Sequence, residues 1–268
     1  MKEVYKKTSI ASFAFGIALA IFIVSYYFLF YKRFSEDREI LLTTGLLIFF
    51  SLIAGFHYKR AYEKLKNKMI EHDTGVLDLE NLHELNLQRI PSFLLKMVNV
   101  DSSGNPVFKI EPSKGQLSKW LTFFELFEKG FFIPVTYLIK DMNDRQIAIV
   151  GTLNTLKRAE LSLSKPNGEL IATFIQQTSK SILKNRGTLY NADGTIWREL
   201  VAKSMAGDID VKDAEGMITA SYRFGIFPYA LHPAFQATAD HEHVHFGTHI
   251  SPEEKLAYTM IFFFWLKG

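Results

Sequence analysis

Two stretches near the start of the chain carry no charge at all: Ile10 to Phe30, IASFAFGIALAIFIVSYYFLF, and Ile40 to Tyr58, ILLTTGLLIFFSLIAGFHY. At about 1.5 Å per residue each covers the ~30 Å hydrocarbon layer of a bilayer. The first holds 12 Ile, Leu, Phe or Val residues and the second 11. At roughly −0.3 to −0.6 kcal/mol for each such residue, both favour insertion. A cleaved secretory signal is the alternative for the first stretch, because Lys2, Lys6 and Lys7 precede it. The run is longer than the ~7 to 15 residues of such a segment and is followed by tyrosines rather than a small-residue cleavage site. The pattern predicts a two-helix transmembrane hairpin with spans at about 10–30 and 40–58, joined by the short loop Lys32 to Glu39.

From Lys59 to His72 the chain reads KRAYEKLKNKMIEH, which extends the second helix as part of a basic linker over 59–90. Beyond Pro91 the period changes. Arg158 to Ser164 alternates, with Ala159, Leu161 and Leu163 on one face, and Met217 to Phe224 alternates likewise. Turn signals such as Pro166-Asn167-Gly168, Ala192-Asp193-Gly194 and Ala214-Glu215-Gly216 separate these runs. Asn-Gly and Asp-Gly supply the positive φ that tight hairpins need. The pattern yields about a dozen strand candidates between residues 92 and 247. The alternation then stops. Ser251-Pro252-Glu253-Glu254 is a helix start, with Ser as N-cap, Pro at the first helical position and Glu254 placed for a capping box. The segment from Leu256 to Leu266 is apolar on every side. It makes about 16 Å of helix, too short for a bilayer and therefore expected inside the β structure.

Charge changes the picture of the whole chain. The formal net charge is +3, yet residues 1–70 hold 11 Lys and Arg against 5 Asp and Glu, leaving 20 against 23 for residues 71–268. The basic character belongs to the anchor, and nucleic-acid binding by a domain of net −3 is not expected. Near the membrane, Lys2, Lys6, Lys7, Lys59, Arg60, Lys64, Lys66 and Lys68 flank the spans on one side and Lys32, Arg33 and Arg38 on the other. That bias predicts a two-span protein of the cell membrane with both termini cytoplasmic. Cysteine is absent, which excludes disulfides, thiolate metal sites and palmitoyl anchors.

Repeated turn-then-strand units such as Asn191-Ala192-Asp193-Gly194-Thr195-Ile196, followed by Glu254-Lys255-Leu256-Ala257-Tyr258 leading into Phe262-Phe263-Phe264-Trp265, give a distinctive order of elements. Over about residues 90–268 this order resembles the tubby C-terminal-like superfamily, which includes phospholipid scramblases and LURP-one-related proteins. With the transmembrane α-hairpin (1–58) and the basic linker (59–90) read above, the chain is then expected to be an α+β membrane protein, in which the resemblance implies a mainly antiparallel β-barrel (91–268) enclosing a hydrophobic C-terminal helix (252–267). It also implies burial of Leu256, Tyr258, Met260, Ile261, Phe262, Phe263, Phe264 and Trp265. Tubby domains resemble phosphoinositide-dependent tethering modules, and scramblases carry a cysteine cluster that this chain lacks.

Several constellations bear on chemistry. Lys59, Arg60, Lys64, Lys66 and Lys68 are candidates for lipid-headgroup contact, or simply set topology. His241, His243 and His245 share one face of a strand and could bind Zn²⁺ or Ni²⁺, although residues two apart are separated by roughly 6.6 Å. The alternative is a solvated outer face. Asp208-Ile209-Asp210-Val211-Lys212-Asp213 lacks the Gly and the oxygen ligand that a calcium loop needs and reads as a hairpin turn. Trp120 to Phe132 could form a short amphipathic helix. No Gly-rich phosphate loop, nucleophile elbow or zincin motif occurs. The expected function is a non-enzymatic, membrane-anchored lipid- or protein-binding module without a cofactor, with membrane lipids, anionic headgroups among them, and another membrane protein as partners. The alternatives are a scramblase-like lipid mover and a metal-dependent enzyme built on the histidine strand.

Overall fold

In a computed structural model of the chain, the described residues are 2–29, 38–66, 77–90, 96–102, 105–113, 133–177, 186–201, 208–213, 215–225 and 241–265. They form two compact units, one built on a helical hairpin and the other on a β-barrel.

The hairpin consists of α1 (Lys2–Leu29) and α2 (Arg38–Lys66). Both are long and apolar enough to cross a membrane, and only 11% and 6% of the two apolar windows is buried. Large side chains such as Phe15, Ile21, Phe22, Leu46, Phe50 and Phe56 point outward. The helices pack on small residues. Gly16 lies against Ser51 and Leu52, and Gly55 lies against the Phe13 ring. Phe13 meets Phe56 edge-on at 5.1 Å, and the buried Ser9 hydroxyl donates to the Gly55 carbonyl at 2.9 Å. Small residues and an interhelical hydrogen bond are what joins helices where lipid removes the hydrophobic drive between them.

The barrel is a single antiparallel sheet of twelve strands among the described residues, in the order β10-β11-β12-β1-β2-β3-β4-β5-β6-β7-β8-β9. The strands are β1 (Glu84–Ile90), β2 (Lys96–Val100), β3 (Pro106–Pro112), β4 (Val135–Asp141), β5 (Gln146–Asn154) and β6 (Arg158–Ser164). Then come β7 (Leu170–Gln177), β8 (Arg186–Asn191), β9 (Ile196–Val201), β10 (Ile209–Lys212), β11 (Ile218–Gly225) and β12 (His241–Phe246). The edge strands β9 and β10 also approach each other, so the sheet is nearly closed. Its first strand, β1, lies within the stretch that reads from sequence as linker and pairs with β12, Glu84 opposite His245 and Leu87 opposite Glu242.

Alternation decides which face is inside. In β4, Val135, Tyr137, Ile139 and Asp141 are buried while their neighbours are half-buried. Four hairpins close by one repeated device: Asp144, Gly168, Gly194 and Gly216 adopt positive φ at equivalent positions. In each, the residue three before this one accepts its N–H, as Asn191 does from Gly194 and Asp213 from Gly216. This is the three-residue hairpin loop with a left-handed residue.

The helix α3 (Pro252–Trp265) fills the barrel, with every residue from Glu254 to Trp265 buried. Its side chains join the inward faces of the strands in one core. Tyr137 meets Phe263 at 5.6 Å, Phe174 meets Trp265 at 5.6 Å, and Tyr222 meets Phe262 at 5.4 Å. Phe174 reaches Trp265 because Gly187 on the next strand has no side chain: a Cβ there would stand 2.2 Å from the Phe174 ring.

Candidate functional site

At the hairpin, the Tyr5 and Tyr58 rings are 6.3 Å apart, which puts the start of α1 beside the end of the second apolar run. Lys6 and Lys7 are therefore at the same end as Lys59 and Arg60, and all four are exposed. Lys64 and Lys66 belong to the last turn of α2, whereas Lys68 lies outside the described residues, as does the stretch Trp120 to Phe132. Lys6 and Lys7 thus stand with the headgroup candidates Lys59 and Arg60, at the one end of the hairpin where the sequence's Lys and Arg bias puts them.

The histidine strand is β12. Val244 and Phe246 point inward, and the register places His243 and His245 on the outer face with Glu84, Asn86 and Arg223, while His241 is the first residue of the strand. His243 Nε2 is 3.6 Å from a Glu84 carboxylate oxygen. Burial holds the His243 imidazole below its ordinary pKa, and His245 acts in the same sense while Glu84 opposes it. Arg223, the β11 partner of His243, is an ion-pair and hydrogen-bond donor to Asp210. Among the described residues, no group of three His, Asp or Glu side chains is close enough to hold a metal ion.

The acidic run after Asp208 is a hairpin. Asp210 is taken by Arg223, and Asp213 accepts the backbone N–H groups of Glu215 and Met217.

The buried helix begins with charge that its apolar composition hides. Ser251 caps it, its hydroxyl accepting from the Glu254 N–H at 3.2 Å. The Glu254 carboxylate faces Arg198 Nε at 3.0 Å and accepts from the Tyr258 hydroxyl, which also meets Thr219 at 3.2 Å. Burial and the Glu254 carboxylate raise the Tyr258 pKa far above its ordinary value. Lys255 donates to the carbonyls of Leu79 and Glu80 at 2.9 and 2.6 Å. Its own burial lowers its pKa, against the pull of Asp78 and Glu80. These bonds tie the start of α3 to the segment before β1 and to β9. At the other end, Trp265 Nε1 donates to Gln176 at 2.8 Å.

A surface pocket of about 560 Å³ opens beside the start of β1 and the β2–β3 and β4–β5 turns, with Asp78, Glu84, Asp101 and Asp141 among its lining. Three of these carboxylates hold turns. Asp78 accepts from Glu80 and Asn81, Asp101 from Asn105, and Asp141 from Asn143 and Arg145. The pocket brings together residues that sequence spacing keeps apart, but three of its carboxylates are engaged in backbone geometry and the fourth, Glu84, faces His243.

No protein-family model matches the chain, and no curated protein matches it. Among solved structures, one from Arabidopsis thaliana is similar over 71% of this chain and 96% of its own length, with 10% identity and a TM-score of 0.41.

Proposed function

We propose that the chain is an integral protein of the cell membrane that holds a tubby-like, non-enzymatic binding module at the cytoplasmic face, with lipid or a membrane protein as its partner. The observation that carries this reading is the pair of apolar helices whose windows are only 11% and 6% buried. A soluble protein would leave hydrocarbon surface of this extent in water at about 25 cal/mol per Å², whereas a bilayer removes that cost. The basic ends of both helices support cytoplasmic termini through the positive-inside bias. The tubby-like assignment of the barrel draws support from the element order, twelve antiparallel strands and then one apolar helix enclosed by them.

The test uses the absence of cysteine. A single Ser35→Cys variant in the interhelical loop should react with a membrane-impermeant thiol reagent from outside intact cells. The protein should also stay in the membrane pellet at alkaline pH. Release into the supernatant would sink the anchor, and labelling only after cell lysis would reverse the orientation. Lipid and protein analysis of material purified in mild detergent then addresses the partner.

A further inference from the structure

The antiparallel order sorts the joints between strands into two ends of the barrel. One end collects the segment before β1, the four repeated hairpin turns, the β2–β3 turn and the Gly247 to Glu253 connection into α3. Among its described residues, 77–83, 101–105, 142–145, 165–169, 192–195, 213–217 and 247–253 carry nine Asp and Glu against Arg145 and Lys165, a formal net of −7. When the first and last residue of every strand are counted with the turns, this end comes to a net of −8, and the described residues at the opposite end carry Lys96, Lys157, Arg158 and Arg186 against Asp208, a net of +3. Apolar side chains are exposed at both ends. At the basic end they are Ile133, Leu153, Leu156, Val201 and Phe224, and at the acidic end Leu170, Ile196, Met217 and Ile218. Charge, not greasiness, distinguishes the two.

We infer that the basic end of the barrel, the Thr155–Arg158 turn with Ile133 and Arg186, docks on the anionic surface of the bilayer, while the acidic end faces away. The inference rests on the membrane-anchored reading above and adds the surface and its partner. An anionic leaflet attracts Lys and Arg within a Debye length and repels carboxylates over the same distance. Nine carboxylates gathered at one end oppose docking there even with Ile196 and Met217 exposed. At the other end Leu156 stands on the β5–β6 turn with 72% of its surface exposed, next to the exposed bases Lys157 and Arg158. An apolar tip flanked by cations is the arrangement that places hydrocarbon at the headgroup boundary and charge among the phosphates. The chain enters the barrel at its acidic end, at Leu77, ten residues after α2.

The cysteine-free chain makes the test direct. Full-length Leu156→Cys and Met217→Cys variants are labelled with an environment-sensitive fluorophore and reconstituted in vesicles of phosphatidylcholine with phosphatidylserine, with or without spin-labelled lipid as quencher. The label at 156 should shift to the blue and be quenched, and the label at 217 should do neither. The effect at 156 should disappear in pure phosphatidylcholine, in high salt, and when Lys157→Glu and Arg186→Glu are added. A fluorophore at Ile133→Cys reports the same surface should the label disturb the turn. Quenching at 217 alone, at both ends equally, or at neither end overturns the proposal. In each case pelleting of the same vesicles at alkaline pH shows separately whether the hairpin anchor stands.

Discussion

Glu254 keeps 5% of its side chain exposed and meets the Arg198 guanidinium, itself 26% exposed, inside the mouth of the barrel. Removing one partner of a buried pair costs about 3–5 kcal/mol, and the partial hydration of Arg198 reduces that. Glu254→Gln should therefore destabilise the barrel by about 2 kcal/mol, read from chemical denaturation, with a smaller loss when Arg198→Met accompanies it. Additive losses would show that the two side chains do not interact. His243 gives a pH dependence. Its folded pKa is lowered from 6.5, so the folded state binds fewer protons than the unfolded chain just below pH 6.5, and stability falls as pH drops through that window. His243→Gln should flatten the profile there; an unchanged slope would mean that the imidazole is not held neutral. Neither contact is legible in the sequence. Glu254 reads as a capping residue because its position alone explains it, while Arg198, its partner, lies on β9, far away along the chain. The face of His243 is legible because a strand alternates strictly, but its neighbours Glu84 and Arg223 come from two other strands.

Elements are easier to read than contacts. The apolar spans stand out since no charge interrupts them, and α3 stands out because it is apolar all round after an unambiguous cap. Turn chemistry marks the hairpins for the same local reason: Gly168, Gly194 and Gly216 occupy positions with φ between 83° and 88°. β1 is the exception. Its sequence, ELNLQRI, does alternate, with Leu85 and Leu87 in the core, but its partner β12 lies far along the chain, so no adjacent hairpin marks it as a wall of the barrel. In the hairpin, close approach depends on Gly55, where an added Cβ would lie 2.9 Å from Phe13 ring carbons. Gly55→Leu should part the helices and lower the thermal midpoint of the detergent-solubilised protein for the hairpin transition. Adding Phe13→Ala should restore part of it, and failure of that rescue would show that the contact does not hold the pair together.

At the scale of the whole molecule, a net charge of +3 conceals three separate regions: a basic membrane end of the hairpin, an acidic barrel end and a weakly basic barrel end. The first can be counted from sequence. The division within the barrel cannot, because each Asp or Asn is explained singly by its turn and only strand order gathers them at one end. That same order has a temporal side. The helix filling the barrel comes after all twelve strands, and β1 must wait for β12, so a ribosome delivers the sheet well before the plug it encloses. Both apolar spans, by contrast, emerge first. A chain stalled with Ser251 just outside the ribosome should be anchored yet protease-sensitive throughout the barrel, and protection should appear in one step once Trp265 is free. Gradual protection, strand by strand, would contradict this. Until that step the nascent chain holds an unfilled sheet, a period in which chaperones would have to cover what α3 later covers.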